Sequence, residues 1–580
     1  MKQLLTLFLL FGFLFLFYQS GDTHSGPSPS MFIFGAQGEP ACLDPPVIKD
    51  GISARITNQI FEGLVKYEGS TINIIPSLAE KWDVSRDGKT WTFFLRKRVT
   101  FHDGTPFNAD AVVWNFNRWR QTDHPQHKNR VAAGQTFEYY EVQFRGFDNK
   151  SIITNVKAVD PTTVRITLKE PHGPFLNNLA MSAFVFSSPK AVEQYGTESC
   201  KHPVGTGPFK FAGWEADEYV VLETNATYWD KAAMPHVKRV VIRNIKDVSQ
   251  RLAALKAGEI HGMEGVNARD VKVVRADTDL IGERCLEGTP IAPKDLKLMN
   301  ADPTLQVFLR PANTTGYVAF NSKVKEFQDK RVRQAMAHAI NKEAIVEALY
   351  GETGLVATQF QPPSLWGYNS ELKDYEYDPG KAKQLLAEAG FPNGLKEITW
   401  EGGGKAPLEF YFMPIPRPYF PNPQEIAEAI ASDLAKVGIM VSLQTTEPRT
   451  IDGWATYLEK RKKGQLPLYL FGWKGDNGDP DNFICYSSLC SNSKMFAEGS
   501  YSNQALTDLL LKAQKLTSQK ERAELYKRAE EMIHEDVALI FIANNQPPLA
   551  FSKKVIIYIP NPIGMEYFNT IELLHDADLQ

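Results

Sequence analysis

The stretch IIPSLAEKWDVSRDGKTWTFFLRKRVTFHDGTPFNADAVVWNF, residues 74–116, decides the fold class. Residues 91–95 (WTFFL) are aromatic and β-branched, and 98–101 follow in the same style, which predicts two strands of a meander. His102, Asp103, Gly104, Thr105 and Pro106 form a turn cluster. Asn108 then stands where a helix cap is expected, and Val112, Val113, Phe116 and Trp119 recur at helical spacing behind it. Strand, turn and capped helix within one short segment predict a mixed α/β protein.

Working outward, residues 31–34 (MFIF) form an apolar run stopped by Gly35, a first strand leading into the loop 37–46. Residues 121–150 are polar and without clear periodicity, and are expected to be an insertion or surface loop. Strands are expected at 164–168, 209–211, 219–223 and 237–243, with a helix over 249–257 ending at Gly258. The second half alternates more regularly. A strand over 317–320 precedes helices capped by Asp329 and Asn341, and Asn422 followed by Pro423 predicts another helix start. Strands are expected at 439–443, 466–473 and 538–543, and one helical stretch over 504–534.

The chain has 580 residues, enough for about three to five structural units. Hydrophobic residues make up 43% and charged residues 23%, so there is ample apolar surface for packed cores. With 64 basic against 68 acidic residues there is no basic excess, and nucleic-acid binding is set aside. Residues 1–30 are expected to be a signal peptide and tether. Lys2 precedes an apolar run over 4–18, shorter than the ~20 residues a membrane span needs, and a polar Gly/Pro/Ser-rich segment follows. Export to the periplasm is the implied location, with an uncleaved anchor as the alternative.

Export permits disulfides among the five cysteines. Cys485 and Cys490 are near enough to close a small loop. Cys42 with Cys285 is one possible long-range bridge, which would leave Cys200 over; about 15 ways of making two pairs exist, and the pairing stays open. No cysteine or histidine spacing suggests zinc, and no cofactor is expected. GxSxG, HExxH, phosphate-loop and dinucleotide motifs are all missing, which argues against an enzyme.

Two clusters remain. Residues 475–482 (GDNGDPDN) follow the apolar run LYLFGW and place three carboxylates at the end of a buried strand, where α/β sheets commonly hold ligands. Their spacing does not match a calcium loop. Residues 413–423 (MPIPRPYFPNP) are stiffened by proline, and Arg417 is the only charge among them. A guanidinium so displayed can meet a carboxylate through two hydrogen bonds. Each cluster alone reads as a surface turn. Together they offer one cation and one anion, the complement of a zwitterion.

Several long stretches resemble the extracellular solute-binding proteins of family 5, the receptors of peptide ABC importers. They are GAQGEPACLDP, IFEGLVKYEG, the segment 74–116, VGTGPFKFAGW and YVAFNSKVKEFQDKRVRQAMAHAINKEAIVEALYG. The resemblance covers nearly all of 31–580. Within the family, MPIPRPYFPNPQEIAEAIASDLAKVGI and FGWKGDNGDPDNF resemble the ligand-binding segments of periplasmic dipeptide-binding proteins.

The resemblance implies a two-lobed α/β fold of the periplasmic-binding-protein type. Lobe I would span 31–310 with an extra subdomain over about 81–203. Lobe II would span 311–544, and 545–580 would return to lobe I. Arg417 would take a peptide's carboxylate and Asp476 its ammonium, with Tyr419 and Trp473 lining the cavity. The implied partners are a short peptide and, transiently, the membrane permease, with the receptor a monomer. Alternatives are another family ligand (an oligopeptide, glutathione, haem or a nickel chelate) or a secreted peptidase. The segment 121–150 looks extended for the family, and so does the spacing from Arg417 to Asp476.

Overall fold

A computed structural model describes residues 31–266, 298–299, 305–448, 451–485, 489–490 and 497–574. Three sheets organise the chain. An eight-stranded sheet runs in the order Leu298–Met299, Leu305–Leu309, Pro548–Ser552, Gly262–Glu264, Met31–Ala36, Arg239–Asn244, Tyr219–Thr224, Phe209–Glu215. Met31–Ala36 lies parallel to both of its neighbours, while its outer strands are antiparallel. Phe32, Phe34 and Ala36 point into a core with Val240, Ile242, Leu549 and Phe551, as period-two alternation requires.

A six-stranded sheet follows the order Gly354–Val356, Leu539–Asn545, Thr314–Phe320, Leu468–Lys474, Glu409–Tyr411, Ser442–Gln444. Two of its inner strands, Thr314–Phe320 and Leu539–Asn545, are buried at every position. Helices Lys330–Ala339, Lys342–Leu349 and Pro423–Lys436 share one core with them through Val332, Met336, Ile345, Ile426 and Ile430. Four antiparallel strands form a third sheet, ordered Ala79–Val84, Thr90–Leu95, Thr163–Leu168, Ile153–Asp160. The quoted segment supplies two of them. Asn108 accepts from Ala111 N at 3.0 Å to start the helix Ala109–Arg120.

Several expectations need correction. Residues 98–101 are not a strand: Arg98 has φ 62°, which breaks the ladder, and Thr100 makes only an isolated bridge with Pro106. Residues 121–150 are not an irregular loop. They form helices Pro125–Ala132 and Glu138–Gln143, with His127, Arg130 and Tyr140 buried. Hydrophobic periodicity missed the first helix because its inward face is polar and satisfied by tertiary partners. The expected helix over 504–534 is two, Gln504–Lys515 and Gln519–Glu535, the second capped by Ser518. Asn422 does not cap with its side chain; its amide donates to Leu349 O at 3.0 Å instead.

The cysteine assignment is half corrected. Cys485 pairs with Cys490, but Cys42 pairs with Cys200, not with Cys285, which lies outside the described residues. Cys200 is therefore not the cysteine left over. Leu43 N also donates to Cys200 O at 3.0 Å, so the loop 37–46 is tied to the segment near 200 by backbone and disulfide together. The expected signal segment, 1–30, likewise lies outside the described residues. Among those described, no helix is long and apolar enough to cross a membrane.

Beside that disulfide, Asp44 is buried between Arg118 and Arg130. Burial by itself would raise the Asp44 carboxyl, but the two guanidiniums outweigh it and hold it below its ordinary 3.8. Removing the carboxylate would leave two buried cations without their counter-charge. Asp44→Ala is expected to cost about 3–5 kcal/mol in urea unfolding at pH 7. Because the folded pKa is depressed, the contribution is full above the unfolded value near 3.8 and is lost as pH falls through the lower folded value. The wild-type advantage over the variant should therefore shrink only in strong acid.

Candidate ligand-binding site

The strand Leu468–Lys474 is buried from Leu468 through Gly472 and opens at Trp473 and Lys474. It pairs antiparallel with Thr314–Phe320 along its whole length, with Lys474 opposite Thr314, and parallel with Glu409–Tyr411 only at Leu468 and Tyr469, so its end is laddered on one side. Beyond it, Gly475 N donates to Asn313 O at 2.9 Å and Asn313 Nδ2 donates back to Gly475 O at 2.8 Å. A Cβ on Gly475 would come within 2.5 Å of Asn313 Oδ1, so the clamp closes only on glycine.

The three carboxylates of the loop have different fates. Asp479 caps the helix Pro480–Ile484 by accepting from Asp481 N at 3.0 Å, and takes two 2.7 Å hydrogen bonds from Arg522. Asp481 accepts from Gln514 Nε2 at 3.0 and 3.1 Å. Asp476 has no cation within ion-pair distance among the described residues. One of its oxygens accepts a 3.3 Å hydrogen bond from Asn482 Nδ2, while Asn482 Oδ1 receives Asp476 N at 3.0 Å and Trp473 Nε1 at 2.9 Å. Burial pushes the Asp476 carboxyl up to about 6, against the opposing pulls of Asn482 and Lys474.

Arg417 lies in the proline-rich segment, at a turn closed by Arg417 N to Phe420 O and Phe420 N to Arg417 O, both 2.9 Å. Its guanidinium carbon stands 4.3 Å from the ring centroid of Trp454, which stacks at 5.7 Å on Phe471. Half-buried, it has no carboxylate partner among the described residues, and its Nε has no hydrogen-bond partner. A cation over an aromatic face keeps its outer edge free for an anion.

Tyr419 is buried, with its ring covering Gly472, where a Cβ would approach to 2.3 Å. Its carbonyl accepts from Tyr350 OH at 2.9 Å, and Pro418 O accepts from Asn545 Nδ2 at 2.7 Å. Burial raises the Tyr419 hydroxyl, and the neighbouring Arg417 partly offsets that. Tyr419 is thus the foot that plants the Arg417 turn on the strand carrying Asp476. Trp473 is partly buried beside Asn482.

Residues from the first half of the chain face the loop. Asn177 Nδ2 donates to Asn477 O at 3.1 Å and Asn477 Nδ2 donates to Asn178 Oδ1 at 2.7 Å. A Cβ at Gly478 would touch Ile72 and Tyr67. Close by, Arg55 meets Glu264 at 2.9 and 2.5 Å and Glu566 at 3.2 Å, and Arg310 also pairs with Glu566. Asn313, Trp454 and this charge cluster were not assigned to the site from sequence; their partners lie well away in the chain, so no spacing signals them. Asn482 belongs to the cluster 475–482 but was given no role of its own, although its partner Trp473 is only nine residues away. Asn225 and Asn313, which match glycosylation sequons, are both buried and hydrogen-bonded.

Residues 73–495 match the model of bacterial extracellular solute-binding proteins, family 5. The chain belongs to that family. It is 32% identical over 554 residues to the dipeptide-binding protein of Escherichia coli K12, covering 93% of this chain and 94% of the relative. It is 35% identical over 560 residues to heme-binding protein A of Haemophilus influenzae, covering 93% and 92%. In structure it is similar to the periplasmic binding protein DppA of Helicobacter pylori, solved in complex with the peptide STSA. That match has a TM-score of 0.70 and 31% identity, and covers 94% of this chain and 98% of that one. The fold is accordingly the two-lobed periplasmic-binding-protein type.

The raised Asp476 carboxyl has a measurable consequence. A folded pKa of about 6 against an ordinary 3.8 means ionisation of Asp476 opposes folding, with the penalty absent below pH 3.8 and complete above pH 6. Asp476→Asn is expected to raise the melting temperature of the ligand-free protein at pH 8, with the gain vanishing near pH 4. A gain independent of pH would contradict this assignment.

Proposed function

We propose that the chain is the dipeptide-capturing receptor of an ABC importer, and that it holds its ligand by both ends between two lobes. The observation that carries this reading is a pair of opposite charges, Arg417 and Asp476, near one strand end, neither in an ion pair among the described residues. Leaving a desolvated charge unpaired costs several kcal/mol unless a ligand supplies the partner. A zwitterion supplies both.

Arg417 takes the C-terminal carboxylate through its free guanidinium edge, and Asp476 takes the N-terminal ammonium. Fixed anchors act as a ruler, since each extended residue adds at most about 3.3–3.6 Å. Side chains project from the line between the anchors, so the receptor selects length more than composition. Trp473 supplies a wall that accepts varied side chains, while Tyr419 braces the Arg417 turn.

We assign lobe I to 31–310 with a subdomain over about 81–203, lobe II to 311–544, and 545–580 to lobe I again. The strand Leu539–Asn545 in the six-stranded sheet and Pro548–Ser552 in the eight-stranded one support a crossing there. The contacts of Asn177 and Asn178 with Asn477 support closure of the lobes over the ligand by hinge bending. The closed monomer, in the periplasm, then docks on a membrane permease and returns its ligand chemically intact rather than hydrolysed.

Calorimetric titration of ligand-free protein with Ala-Ala, its C-terminal amide and its N-acetyl form tests the reading. Binding of Ala-Ala alone is the expected result, with Arg417→Ala and Asp476→Ala each weakening it roughly 100-fold or more, about 2.7 kcal/mol. Equal affinity for all three compounds, or binding of haem with none of the dipeptide, would overturn it.

Protons provide a second test. Asp476, near pKa 6 when free, must be ionised to hold an ammonium. Binding at pH 6 should therefore release protons and binding at pH 8 should not, as read from titrations in buffers of different ionisation enthalpy. Apparent affinity should fall as pH drops below about 6.

A further inference from the structure

Among the described residues, Lys474 is a cation at this strand end that neither the fold nor the two end-anchors use. It is the last residue of the strand Leu468–Lys474, two positions before Asp476. Its side chain is exposed, and among the described residues it makes no hydrogen bond and no ion pair. Yet protein surrounds it. A Cβ on Gly564, in the segment returning from the other sheet, would lie 3.4 Å from its Nζ. Arg310, Arg55, Asp476 and Glu264 are all near enough to act on its charge, and crowding together with the two arginines lowers the amine to about 8. The ammonium thus stands in a recess that solvent enters, at the Asp476 end of the site.

The charges around it leave a place for one more anion. Lys474, Arg310 and Arg55 are cationic; Asp476, Glu264 and Glu566 are anionic, so the empty set is neutral. Glu264 and Glu566 are already engaged by Arg55 and Arg310. Once Asp476 meets a ligand's ammonium, a single positive charge is left over, and it resides on Lys474. Its natural partner is a second carboxylate carried close to that ammonium, on the ligand's first residue.

We propose that Lys474 is a specificity-determining residue that selects ligands bearing an additional carboxylate on their N-terminal residue. The proposal rests on the reading of Asp476 as the ammonium anchor. Two kinds of ligand carry this chemistry: α-linked peptides beginning with Asp or Glu, where the second carboxylate is the side chain, and γ-linked glutamyl peptides, where it is the α-carboxylate.

The readout is a ratio that a merely structural role for Lys474 would not move. Dissociation constants for Ala-Ala, α-Glu-Ala, Gln-Ala and γ-Glu-Ala are measured on the wild type, Lys474→Met and Lys474→Arg by titration calorimetry. Glutamine matches glutamate in size without its charge. The wild type should prefer α-Glu-Ala or γ-Glu-Ala over Gln-Ala by about tenfold or more, and which of the two is preferred identifies the source of the carboxylate. In Lys474→Met that ratio should fall to near one, and in Lys474→Arg it should be largely kept. Binding of Ala-Ala with no acidic preference in the wild type, or a preference that survives in Lys474→Met, overturns the proposal alone. Failure of all four peptides to bind overturns the peptide-receptor reading, and this proposal with it.

Discussion

Arg522 reaches Asp479 with two 2.7 Å hydrogen bonds inside the protein, and the loop beyond the strand Leu468–Lys474 hangs from that pair. Asp479 simultaneously caps the helix Pro480–Ile484, which places Asn482 where its side chain can hold Asp476 N and Trp473 Nε1. Gln514, from the helix that precedes Arg522, engages Asp481. Two of three neighbouring carboxylates are thereby consumed in folding. The third, Asp476, accepts only from the Asn482 amide and has no cation within ion-pair distance among the described residues, which leaves it able to meet a ligand's charge.

The same logic separates structural from functional charges across the molecule. Asp44 with Arg118 and Arg130, and Arg55 with Glu264, Glu566 and Arg310, are closed sets in which buried charge meets buried charge. Arg417, Asp476 and Lys474 are open. Open charges at a partly desolvated site cost stability, as the raised Asp476 and lowered Lys474 values express. Proteins retain such strain where a ligand relieves it.

Much of the architecture was legible because it depends on local rules. Asn108, Asp329 and Asn341 cap helices as their residue types predict, and the apolar runs near 317, 468 and 539 became the buried strands of one sheet. Legibility failed where the inward-facing group was polar. Arg130 and His127 sit on the buried face of a helix that carries little hydrophobic pattern, because Asp44, Ser199 and the backbone of Arg118 satisfy them. It failed again at Arg98, whose positive φ ends a run of good strand residues.

By itself the sequence determined the mixed α/β class, the family through long motif stretches, and the two clusters holding Arg417 and Asp476. These depend on residue type and short-range spacing, which the chain carries wherever it goes. Only the tertiary structure decided that Cys42 meets Cys200, that Tyr419 packs over Gly472, and that of the three aspartates Asp479 takes the ion pair with Arg522 and Asp481 the Gln514 amide. Those outcomes depend on partners well beyond local spacing, 33 residues away for Asp481 with Gln514 and 158 for Cys42 with Cys200, or on exclusion by close packing. Whether a charge is spent on the fold or left for a ligand is set by its neighbours in space.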